Sequence, residues 1–127
     1  MIASGREALT LYKVVSYYRK VDLKNIKKGL LNDLQYYSLI RVFPKTGRTH
    51  QIRIHMKHIG HPVVSDFLYA GRKISREDRL WCPRIFLHAK TIKFRHPKTK
   101  QTVEFVSDLP ADLKGALGLL SLHKDID

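Results

Sequence analysis

Residues 8–18 (ALTLYKVVSYY) concentrate β-branched and aromatic side chains, and they predict a strand. Residues 36–43 (YYSLIRVF) predict a second. Between them, residues 19–35 are polar and carry Lys20, Lys24, Lys27 and Lys28. They read as a long connection with room for one helical turn, so the pair predicts a β-hairpin with an enlarged loop. Pro44-Lys45-Thr46-Gly47 supplies turn chemistry. The next segment, residues 48–59, fits two periods. Ile52, Ile54 and Met56 alternate as in a strand, whereas Ile52, Met56 and Ile59 fall at helical spacing. Its length and the stop at Gly60 favour a helix.

Residues 60–83 predict mostly loop. Residues 84–95 and 101–107 predict two strands, joined by His96-Pro97-Lys98-Thr99-Lys100. Residues 110–122 predict a short helix capped by Asp108 or Ser107. Gly115 and Gly118 each weaken it by roughly 1 kcal/mol relative to alanine.

The chain has 127 residues, one domain's worth, with no repeat or internal boundary. Apolar residues at 43% and charged residues at 28% exclude a chain disordered throughout. The single cysteine, Cys82, excludes an intramolecular disulfide and a Cys-rich zinc module, and it fits a reducing, intracellular compartment. No apolar run approaches the ~18–20 residues of a membrane span, and residues 1–8 carry no secretory block. Charge changes the picture most: 24 Lys and Arg against 11 Asp and Glu give +13. Such a balance favours a polyanion, nucleic acid first, over a basic surface that serves solubility alone. The cations fall in two acid-free blocks. Residues 34–65 hold Arg41, Lys45, Arg48, Arg53 and Lys57, and residues 79–103 hold seven more. Together they predict a continuous positive face that tracks phosphates.

The densest chemistry lies in residues 46–55 (TGRTHQIRIH). Gly47 permits a tight turn, and the first amides of the following helix favour an anion. Arg48 and Arg53 can each grip a phosphate or carboxylate with two bonds. On a helix Arg53 shares a face with Thr49, His50 and Lys57, opposite the buried Ile52, Met56 and Ile59. Stacked cations there repel one another unless an anion arrives. The histidines 50, 55, 58 and 61 suggest a metal, but no carboxylate or thiolate lies near them in sequence, so no metal is predicted.

This segment, followed by Gly60-His61-Pro62 and Asp66-Phe67-Leu68-Tyr69-Ala70-Gly71, closely resembles the C-terminal half of RluA-type pseudouridine synthases. Residues 5–12 (GREALTLY), Leu87-His88-Ala89, His96-Pro97 and residues 109–113 (LPADL) match further family markers in order, so the resemblance covers about residues 5–113. It implies an α+β fold: a mixed, largely antiparallel sheet with flanking helices, half of a pseudouridine synthase catalytic domain. It implies isomerisation of a flipped-out uridine in ribosomal or transfer RNA, without metal or organic cofactor. Arg53 matches the second arginine of the motif, the partner of the family's catalytic aspartate. Arg41, Lys45, Arg48, His50, Gln51 and Lys57 fall on the RNA-facing side. Leu87 falls near the target base, with ordinary packing as the alternative.

The chain departs from the family in two places. It has no His-Arg-Leu-Asp motif, which carries the catalytic aspartate, and no Lys-x-Tyr motif, which carries the base-stacking tyrosine. Ser65 stands where the family has glycine before Asp66. Asp66 itself reads as a brace for the 60–71 loop. The chain alone is therefore expected to be inactive. It reads as the C-terminal portion of an enzyme, as an RNA-binding module, or as half of a split enzyme. In the first and last cases an upstream segment or partner chain supplies the aspartate. The resemblance is compatible with cytoplasm or organelle.

Overall fold

A computed structural model describes residues 2–5, 8–21 and 34–126. The fold is α+β, with antiparallel sheets and, among the described residues, three helices. The main sheet contains β1 (Ile2–Gly5), β2 (Ala8–Val21) and β3 (Leu34–Pro44), in that spatial order. The hairpin expected from the first two apolar runs is β2 with β3, antiparallel from Thr10↔Pro44 to Val21↔Leu34. Of the connection predicted over 19–35, residues 19–21 and 34–35 instead extend these two strands, Lys20 pairing with Gln35, and residues 22–33, with Lys24, Lys27 and Lys28, lie outside the described residues.

The β2–β3 register slips between Val14 and Ser16. Val15 opposes no partner there, and its carbonyl instead accepts from the Ile126 amide at 2.9 Å. From that point β2 also pairs with β6 (Ser121–Asp125), beginning at Ser16↔Asp125. The predicted helix over 110–122 is therefore two elements. Helix α3 (Ala111–Gly118) ends at the second of its two glycines, and the chain turns into a strand. Its N-cap is Pro110, with no side-chain cap, rather than Asp108 or Ser107. Asp112 in the first turn favours the helix dipole and holds Arg84 by two bonds, 2.6 and 3.1 Å.

Helix α1 (Gln51–His58) lies within the segment predicted as helix and packs against β1 and β2. Gly60, at φ +85, stops it. The Gly60 amide bonds the Lys57 carbonyl and the His61 amide reaches back to Met56, the paired bonds of a left-handed helix stop. The 60–83 stretch, predicted as loop, contains α2 (Arg72–Asp78), too short to announce itself by periodicity. Ser75 inside it turns its hydroxyl back to the Gly71 carbonyl at 2.7 Å.

The strand predicted over 84–95 forms only as β4 (Thr91–Arg95), paired with β5 (Thr102–Val106). Residues 84–90 have strand-like composition but are spent on packing. The Phe86 amide bonds the Val64 carbonyl, and the Phe86 side chain packs on a core of Cys82, Leu113 and Ala116. The β4–β5 ribbon places Ile92, Phe94 and Phe105 on one face, with Phe94 and Phe105 stacked at 5.9 Å and all three exposed.

Candidate nucleic-acid interface

The turn that launches α1 is fastened by Gln51, which is buried. Its Nε2 donates to the Leu9 carbonyl at 2.9 Å and to Thr10 Oγ1 at 3.0 Å. Its Oε1 accepts from Thr46 Oγ1 at 2.5 Å and from the Arg48 amide at 3.1 Å. All four hydrogen-bonding positions of the amide are filled by the chain itself. His55 is also buried, its Nδ1 2.7 Å from Thr10 Oγ1. The buried stripe of α1 is thus Gln51, His55 and Met56, not the Ile52, Met56 and Ile59 expected from apolar spacing, and Ile54 is exposed. Gln51, expected to face RNA, instead ties the motif to β2. A buried polar network explains the difference: it satisfies every polar atom and so occupies a face that hydrophobicity alone assigns to isoleucines.

On the other side of α1, Arg53 meets Asp66 with Nε at 2.9 Å and Nη2 at 2.7 Å. Asp66 is fully buried, whereas Arg53 keeps 22% of its side chain exposed. The same carboxylate accepts from the Leu68 and Tyr69 amides, each at 3.1 Å, so it braces the loop as read from the sequence. Burial works to raise the Asp66 carboxyl. The Arg53 bonds and the two amides outweigh burial and hold it below the usual carboxylate range. Arg53 is correspondingly held above its ordinary value by Asp66.

Tyr69, not singled out in the sequence, gathers the cations. The Arg53 guanidinium lies over its ring at 5.2 Å, Lys57 Nζ at 6.0 Å, and His50 Nδ1 is 3.1 Å from its hydroxyl. His50 reaches this position from the left-handed region, φ +51, immediately before α1. Arg53, Lys57 and His50 therefore converge, as the helical spacing implied. Lys45 and Arg48 are exposed on the turn leading into them, and Arg41 is exposed on β3 opposite Lys13. Leu87 is half-buried in the irregular 84–90 segment, where its amide closes a tight turn to Ile85.

Ser65 explains the glycine preference that it departs from. It sits at φ +62, a region costly for a side chain. Its hydroxyl donates to the Cys82 carbonyl at 2.7 Å, its amide donates to Asp78 at 3.0 Å, and its carbonyl accepts from Arg79 at 3.1 Å. The second basic block is not a plain positive face: Asp112 neutralises Arg84, and Glu104 lies 3.5 Å from Lys93. Glu104, the residue that follows the block, folds back on it across the β4–β5 pair, and Asp112 reaches it from α3. Among the described residues no three metal-ligating side chains gather, and no helix is long and apolar enough to cross a membrane.

The motif therefore stands between β3, at the edge of an antiparallel sheet, and a helix packed on that sheet, and comparison with known proteins shows which family shares this arrangement. The RNA pseudouridylate synthase profile matches residues 2–58. The ribosomal large subunit pseudouridine synthase C of Pasteurella multocida is 40% identical over 91 residues, 71% of this chain and 28% of that protein. The tRNA pseudouridine synthase C of Haemophilus ducreyi is 45% identical over 69 residues, 53% of this chain and 28% of that protein. The solved structure of human RNA pseudouridylate synthase domain containing 1 superimposes with a TM-score of 0.66 at 30% identity, covering 94% of this chain and 42% of that one. The chain belongs to the RluA-type pseudouridine synthase family. It spans less than half the length of these relatives.

Proposed function

We propose that this chain is the RNA-facing, C-terminal portion of a pseudouridine synthase acting on structured ribosomal or transfer RNA, and that it forms no pseudouridine alone. The observation that carries the reading is the convergence of Arg53, Lys57 and His50 on Tyr69, beside the basic turn of Lys45 and Arg48. The cluster offers guanidinium, ammonium and imidazole groups to phosphate, and Asp66 answers only one of the three. The names of the relatives supply the two RNA classes.

Arg53 is the residue we assign to the catalytic aspartate, which an upstream segment or partner chain provides. Its bonds to Asp66 use Nε and Nη2, so Nη1 is the nitrogen left for that second carboxylate. Leu87 is assigned to packing against the target base. The exposed apolar face of β4–β5 supports the need for a complementing polypeptide, since uncovered apolar surface of this kind is typical of interaction sites. An intracellular compartment belongs to the same reading.

Replacing Lys45, Arg48 and Lys57 together by alanine tests it. Affinity for structured RNA should fall, and the slope of log affinity against log salt should flatten by roughly 0.7–0.9 for each phosphate no longer neutralised. An unchanged slope would remove the proposed RNA face.

A further inference from the structure

We propose that Phe67, stacked with Arg79, is a platform for an unpaired RNA base at the edge of the Arg53 cluster. The inference rests on the RNA-facing reading above and adds a stacking position to it.

Phe67 is 53% exposed although it is a large aromatic whose neighbours in the loop are held by several hydrogen bonds. Its two predecessors are fully buried. Ser65 is tied through hydroxyl, amide and carbonyl, and Asp66 is tied to Arg53 and to the amides of Leu68 and Tyr69. Phe67 therefore projects from a backbone fixed on both sides. Its exposure is built into the loop and is not a matter of local freedom. The Arg79 guanidinium lies 4.7 Å from the ring centroid. Arg79 is itself anchored, donating from Nη2 to the Ser65 carbonyl at 3.1 Å. One end of the stack is thus already occupied by a cation held in place by the loop that it covers.

A half-open aromatic ring backed by a fixed guanidinium suits a nucleobase. The base adds a flat π surface to the stack, and the arginine adds cation–π attraction and positive potential near the adjoining phosphate. Position supports this use, since Phe67 follows directly on the carboxylate that holds Arg53. Tyr69, two residues further along the same loop, is the ring on which Arg53, Lys57 and His50 converge. Bases in a duplex are already stacked on one another, so the platform serves a splayed, single-stranded or bulged nucleotide.

The test uses the full chain, a short single-stranded RNA carrying one aminopurine, and a blunt RNA duplex of the same length. Phe67→Ala should weaken single-strand affinity roughly tenfold and abolish the quenching of aminopurine on binding. Duplex affinity and the salt slope should not change, because no charge is lost. Phe67→Leu, which keeps apolar bulk, should lose the same quenching, whereas Phe67→Trp should keep the affinity. Equal thermal stability across the set separates the effect from misfolding. RNA binding by the wild type with no response to Phe67→Ala overturns the platform alone. Failure of the wild type to bind either RNA overturns the RNA-facing reading as well. If Phe67→Ala spares RNA binding but weakens association with a complementing upstream polypeptide, the ring belongs to a protein interface and the platform is refuted.

Discussion

Removing the Asp66 carboxylate should cost the chain a large part of its stability. Asp66→Ala deletes two bonds to Arg53, at 2.9 and 2.7 Å, and two bonds from backbone amides, each at 3.1 Å. Breaking a buried ion pair from one side costs about 3–5 kcal/mol, because the surviving charge is left without its partner. Arg53 retains 22% exposure, so water recovers part of that, and the lower end applies. The two orphaned amides add about 1 kcal/mol between them, since the loop they sit in is partly solvated. The sum is about 4 kcal/mol. At about 4 °C per kcal/mol for a chain of this size, the melting temperature should fall by about 15 °C. Asp66→Asn should lose about half as much, because an amide oxygen in the place of Oδ1 still accepts from Leu68 and Tyr69.

The same pair fixes a pH dependence. The folded Asp66 carboxyl lies below its unfolded value, so the unfolded chain binds the proton more readily. Its stabilisation is complete above the unfolded value of about 3.9 and is lost as pH falls through the folded one. Thermal melts of wild type, Asp66→Ala and Asp66→Asn across this acid range read both effects, and Asp66→Asn should erase this part of the acid sensitivity. A loss below about 1 kcal/mol for Asp66→Ala, or acid sensitivity undiminished in Asp66→Asn, would refute the ion-pair account.

Ser65→Gly relieves a left-handed strain of about 1 kcal/mol and forfeits a hydroxyl bond of similar worth, so it should melt near wild type. Ser65→Ala keeps the strain and loses the bond, and it should be less stable by about 1–2 kcal/mol in denaturant titrations. Asp78 is buried, and burial, with Glu77 adding, raises its carboxyl above the ordinary value despite the Ser65 amide and Lys20. The folded state therefore binds the proton more tightly, and its contribution to stability grows as pH falls through the folded value toward about 3.9. Asp78→Asn should accordingly raise the melting temperature at neutral pH and lose that advantage in acid. Gln51→Ala should destabilise by about 2–3 kcal/mol, through orphaned groups on the 44–48 turn and β2. It should leave the salt slope of RNA binding unchanged, because Gln51 points into the protein.

The parts of the fold legible in the sequence are those where one period dominates. The β2–β3 hairpin, the segment that contains α1 and the Gly60 stop all follow from spacing and turn chemistry. The buried face of α1 was not legible, because Gln51 and His55 are buried by hydrogen bonds to Thr10 and Leu9, partners about forty residues away. Strand propensity misled at residues 84–90, where apolar side chains fill a core and have no strand to pair with. The last strand, SLHKD, has one aliphatic residue and no apolar alternation, so nothing in its spacing announces a strand, and it pairs with β2 from the point where the β2–β3 register slips. Of the candidate site, the cations were visible as residues, but the ring that collects them was not. Tyr69 becomes a hub only when Asp66 folds its loop against α1.

On the function proposed above, this chain holds the RNA-facing side of a pseudouridine synthase and takes its nucleophile from another segment. Pseudouridine formation on transcribed ribosomal RNA, measured with the purified chain alone and with the upstream catalytic segment of a relative added, tests this directly. No product is expected from the chain alone, product is expected when the segment is added, and none is expected when that segment's aspartate is replaced by alanine. Pseudouridine made by the chain alone would contradict it.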